Sequence, residues 1–95
     1  FFWLKRLGNG DDRAALIEGL RALAAIPEIR SLHIGTPADT AARDVVDASF
    51  DVSELMVFAS AAEQQAYQDH PLHRQFVADH EHLWARVVVY DSLEV

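Results

Sequence analysis

Two short runs, Leu55-Met56-Val57-Phe58 and Val87-Val88-Val89-Tyr90, are apolar at every position. Successive side chains of a strand point to opposite faces, so a strand with one wet face alternates apolar and polar residues. These two runs do not alternate. Both faces of the sheet they build must therefore be kept dry. At about 25 cal/mol per Å² of apolar area, leaving several Val, Met and Phe side chains in water forfeits several kcal/mol. That is a large share of the roughly 5–15 kcal/mol by which a single domain is stable.

The rest of the chain shows what can supply the cover. Phe1 to Lys5 reads as a first strand, and Gly8-Asn9-Gly10 as a turn. Asp11 or Asp12 is placed to cap a helix whose apolar stripe is Leu16, Ile17, Leu20, Leu23 and Ala24, and Pro27 closes it. A second strand follows over residues 29–36, then a long loop rich in small residues and aspartates. The third strand runs over residues 50–58, with Phe50, Val52, Met56 and Phe58 on one parity and Leu55 and Val57 on the other. Residues 61–69 form a short helix. Pro71 opens another that carries Leu72, Phe76, Val77 and Leu83, and Val87 to Tyr90 close as a fourth strand. The order is β-α-β-β-α-β. This is an α+β chain of ferredoxin-like type, one antiparallel sheet with both helices on one face. The helices can dry one side only. The expected cover for the other is a second copy of the chain, sheet against sheet about a two-fold axis, so the chain is read as a homodimer; the alternative is that such short apolar runs overstate burial.

With 95 residues the chain is long enough for one core, and 1–95 reads as a single domain. Phe1 enters a strand already in progress, so native residues are expected before it. Eight basic against fifteen acidic side chains give a net charge of −7, which makes nucleic acid and anionic membrane surfaces poor partners. There is no cysteine, so no disulfide, thiolate nucleophile or Cys-type zinc site is available, and a reducing cytoplasm fits. FFWLKRL is too short and too soon basic to span a membrane.

The stretch AYQDHPLHRQFV, residues 66–77, holds the candidate chemistry. Pro71 forces His70 out of helical geometry and starts a new helix, so Tyr67 and His73 lie either side of a bend that can turn both rings into one space. His73 falls in a first helical turn, where the helix dipole disfavours the imidazolium and keeps the ring neutral. A neutral imidazole takes a proton, and a phenol donates one to a developing enolate oxygen. The bland reading is a helix corner, with His70 capping backbone groups and Tyr67 packed on the core. A metal is not expected: His70, His73, His80 and His82 lack a ligand motif, and His80 and His82, two apart, point away from each other on a helix.

FFWLK, RALAAIPEIRSLHIG, AYQDHPLHRQFV and HLWARVVVYDS together resemble the stress-responsive A/B barrel (Dabb) family, a branch of the dimeric α+β barrel superfamily. That likeness implies two ferredoxin-like subunits forming one dimeric α/β barrel. It also brings in a plant branch that closes polyketide chains by an aldol reaction without a cofactor. By motif, the tyrosine and second histidine of that branch match Tyr67 and His73 as a catalytic pair, and its first histidine matches His70. If the barrel is hollow, Met56 and Trp84 join His70 as candidate walls for a ligand. Three readings stay open on these grounds. The leading one is a barrel protein of undetermined physiological role that binds a small apolar organic molecule. The others are a cofactor-free lyase or cyclase, and a filled, non-enzymatic stress-response dimer.

Overall fold

The computed structural model describes residues 1–95. Strand β1 spans Phe2–Leu4, helix α1 Gly10–Ala22, β2 Ser31–Gly35, β3 Ser53–Val57, α2 Ala61–Asp69, α3 Pro71–His80 and β4 Trp84–Val87. Short 3-10 turns at Leu23–Ala25 and Glu81–Leu83 extend α1 and α3. The order is the α+β one read from the sequence.

β1 pairs with β4, and β2 with β3, both antiparallel. An antiparallel bridge between Phe2 and Val52 joins the two ladders. It is made by Phe2 N–H donating to the Val52 carbonyl at 2.8 Å. Across the sheet the strands therefore run β4-β1-β3-β2, every neighbour antiparallel. Asp51, buried beside the bridge, accepts from the backbone N–H of Leu4 at 2.9 Å and of Gly8 at 3.2 Å. One carboxylate thus ties β3's approach to the β1–α1 turn. That turn depends on Gly8, whose φ of 70° lies in the left-handed region where a side chain is strained.

Four boundaries differ from the sequence reading, each for a local reason. The cap of α1 is Asn9, whose side chain accepts from Asp12 N–H at 3.0 Å, and not Asp11 or Asp12. Asp12 is instead held by Arg6, whose Nε donates at 2.7 Å and whose guanidinium keeps the carboxyl below the usual carboxylate range. β2 is trimmed from 29–36 to Ser31–Gly35. β3 begins at Ser53 rather than Phe50, because the backbone of Asp51 and Val52 is committed to β1. The fourth strand is Trp84–Val87, not 87–90: it ends at the residue where it was expected to begin, and Val89 and Tyr90 lie exposed beyond it. Its ladder does reach one residue further, with Val88 N–H donating to the Phe1 carbonyl at 2.9 Å.

The helices lie on one face of the sheet. Leu4, Leu16, Leu20, Ile26 and Val52 have no exposed surface, and Phe2, Tyr67 and Phe76 are buried with them. Leu32, Ile34, Glu54 and Met56 share this face by register, and Ile34 and Met56 pack on the core. The opposite face is uncovered. Leu55 is 62% exposed and Val57 48%, and nothing in the chain lies over them. On the same side Trp3 sits under the Arg86 guanidinium at 4.4 Å and donates through Nε1 to Ser49 Oγ at 3.0 Å. The result is a slab of 37 × 35 × 17 Å, one sheet and one helix layer thick. No helix is long and apolar enough to cross a membrane.

Candidate functional site

The local sequence around Pro71 builds the site. Ser60 caps α2 by accepting from Glu63 N–H at 3.2 Å, and the helix runs as far as Asp69. His70 is then extended (φ −65°, ψ 138°), as the residue before a proline must be. Its ring starts the next helix, with Nδ1 accepting from Leu72 N–H at 3.1 Å. Pro71 occupies the first helical position, where its missing N–H costs nothing. His70 is thereby a helix cap.

The bend brings Tyr67 and His73 together. Their ring centroids are 4.6 Å apart at 55°. His73 Nδ1 lies 3.1 Å from the Gln68 carbonyl oxygen. A carbonyl only accepts, so Nδ1 carries the proton and Nε2 keeps its lone pair. Burial lowers the His73 pKa, outweighing the hydrogen bond to Gln68, so the ring is neutral at pH 7. Desolvation is the largest cause of that shift. Tyr67 is 4% exposed, and burial pushes its phenol above the ordinary value, with the charge of Glu54 adding to the effect. The pair is thus a neutral base beside a phenol that keeps its proton.

Tyr67 and His73 belong to a continuous aromatic line. Phe58 lies 5.2 Å from Tyr67, Phe76 6.5 Å from His73, Trp84 5.8 Å from Phe76 and Phe2 5.2 Å from Trp84. Trp84 is therefore packed into the core two rings beyond His73, and Met56 packs against the same core from β3. His80 stacks on Phe76 at 4.9 Å, and its Nδ1 lies 2.9 Å from that residue's carbonyl oxygen. No three His, Asp or Glu side chains converge as metal ligands.

A cleft of about 380 Å³ opens on the helix side of the sheet between α1 and β2. Its lining is Ile17, Arg21, Leu32, Ile34, Gly35 and Thr36, so neither Tyr67 nor His73 forms its wall. Glu54 stands between the two places. It pairs across the strands with Ile34 and acts electrostatically on Tyr67. Its Oε2 is buried without a hydrogen-bond partner. Sequence reasoning passed over Glu54. The signal was a gap: Phe50, Val52, Met56 and Phe58 are the apolar members of one parity, and position 54 in that series is acidic.

The profile of the stress responsive A/B barrel domain matches residues 1–93. The chain belongs to that family. This A/B barrel chain is also similar to a solved structure, a dimeric ferredoxin-like protein of unknown function from Thermobifida fusca. Identity is 26%, the match covers 90% of this chain and 76% of the other, and the TM-score is 0.67. No curated protein matches. The family match takes in the whole of AYQDHPLHRQFV, so the A/B barrel assignment and the Tyr67–His73 contact concern the same part of the chain.

Proposed function

We propose that this A/B barrel protein works as a homodimer, bare sheet face against bare sheet face. In this reading the space between sheet and helices receives a small, mainly apolar organic molecule. The ligand's carbonyl or hydroxyl oxygen meets Tyr67 and His73. Two observations support the dimer: the uncovered Leu55 and Val57, and the dimeric state of the similar Thermobifida fusca protein. The ligand reading rests on the Tyr67–His73 contact, a phenol donor and an imidazole acceptor in opposite protonation roles within an aromatic wall. Sites for small organic molecules are largely apolar with a few convergent polar groups.

The same pair favours a second reading, a cofactor-free lyase or cyclase. His73 Nε2 would take the proton from a carbon next to a carbonyl, the electron pair would move onto the carbonyl oxygen, and Tyr67 would donate a hydrogen bond to that oxygen. The enolate carbon would then close on a second carbonyl of the same molecule.

Calorimetric titration with 2-naphthol, an apolar bicycle with one hydroxyl, tests the ligand reading. The parent is expected to bind, and Tyr67→Phe to bind about three- to tenfold more weakly, the value of one hydrogen bond. His73→Ala is expected to weaken binding as well, with both variants remaining folded and dimeric. No binding by the parent, or unchanged affinity in both variants, would leave the filled structural dimer as the better reading. Loss of folding or of dimers in either variant would assign the pair a structural role.

A further inference from the structure

We propose that Glu54 is the polar anchor of the ligand site, and that it selects uncharged molecules carrying an O–H or N–H donor over carboxylates of the same size. This rests on the ligand-binding reading above and adds the class of ligand.

The argument begins with what surrounds the side chain. Glu54 lies on the helix side of β3, between Val52, which has no exposed surface, and Met56, which packs on the core. Directly opposite residues of neighbouring strands stand about 5 Å apart, so Glu54 adjoins Ile34, which lines the cleft, without itself forming the lining. From the helix layer, Tyr67 of α2 feels its charge, and Tyr67 touches His73 of α3. Glu54 is thus the acidic group that neighbours both the cleft residue Ile34 and the Tyr67–His73 pair.

Of the cations nearby, only the Phe1 ammonium acts on Glu54, and it donates to the Val88 carbonyl at 2.9 Å rather than to the carboxylate. Arg21, on the cleft's α1 wall, is engaged with Glu18 at 2.7 Å, and Arg30 lies 3.6 Å from Glu63. A second copy on the bare face cannot reach Glu54 either, because its neighbours Ser53 and Leu55, and not Glu54, point that way. Buried polar atoms are nearly always paired; Glu54 Oε2 is not, a state it shares with Glu28 and Glu63, neither of which lies on the sheet. Burial also moves the carboxyl up to about 7, a displacement of the kind found where side chains meet ligands. Ionised, the group accepts from a donor and repels a second carboxylate. A hydroxyl fits it; an acid does not.

The experiment compares 2-naphthol with 2-naphthoate, the same bicycle bearing a carboxylate, by calorimetry on the dimer at pH 8. The parent is expected to bind the naphthol at least about tenfold more tightly. In Glu54→Gln, which keeps the shape and removes the charge, the naphthoate should gain about tenfold and the naphthol should lose affinity. Glu54→Leu provides a second reading of the naphthoate gain should the glutamine variant fold poorly. If the parent binds both probes and the preference is the same in the variants, Glu54 is not the anchor, while the ligand site stands. If the parent binds neither probe, both readings fall.

Discussion

The two faces of one sheet teach more than either does alone. On the helix side Leu4, Val52, Leu16 and Leu20 are sealed completely. On the other side Leu55 and Val57, three and five residues on from Val52, stand open to water. Covering each of the two would gain roughly 1 kcal/mol at their exposures. Phe1, Phe50 and Tyr90 meet edge to face at 5.0 and 6.1 Å, and Tyr90 is still 81% exposed. One face is a finished core. The other stands open.

Substitutions on the two faces should therefore fail differently. The largest effect belongs to the finished side. Leu20→Ala opens a cavity where no side chain can swing in, and a loss of about 2–5 kcal/mol is expected in urea denaturation followed by circular dichroism. A loss below 1 kcal/mol would mean that the helix layer is looser than its burial implies.

On the bare side Leu55→Lys should cost assembly first. Light scattering is expected to report 10.6 kDa for the variant, the mass of one chain, with the helical dichroism retained. A dimer that tolerates the lysine would place the interface elsewhere.

Glu54 sharpens the comparison, since it is the one acid facing the finished side from β3. Its carboxyl rises from an ordinary 4.5 to about 7, so the folded state holds the proton more tightly than the unfolded chain. That contribution is fully present below pH 4.5 and is lost as pH rises through 7. Glu54→Gln should thus be more stable than the parent at pH 8, by up to about 3 kcal/mol, and equal to it near pH 4. Equal urea midpoints at both pH values would show that the carboxyl is solvated. Smallest of all should be Tyr67→Phe, which keeps the ring contacts with Phe58 and His73 and leaves the melting temperature nearly unchanged. A large fall would assign the hydroxyl a structural bond.

Much of this was legible in the chain because simple patterns carried it. The apolar stripe of α1, the run at residues 55–58 and the Pro71 bend each follow from backbone geometry alone, whereas the run at 87–90 gives a strand only at Val87. The start of β4 was hidden for two reasons. Trp84-Ala85-Arg86 has no strand alternation, and the ladder is irregular between Trp3 and Leu4, so Trp84 faces Leu4 while Arg86 lies over Trp3. The cap of α1 was hidden because Asn9 reads as part of the Gly8-Asn9-Gly10 turn, and the pairing of Asp12 with Arg6 shows only in the fold. At the site, the Tyr67–His73 contact could be inferred from a proline. Glu54 left only the acidic break in the apolar parity of residues 50–58 as a trace, because its surroundings come from β2 and α2, elsewhere in the chain.

The account depends most on a second copy drying the bare face. Light scattering on the unmodified protein at micromolar concentration tests that directly. The predicted result is a single species of twice 10.6 kDa. A stable, folded particle of 10.6 kDa would contradict it.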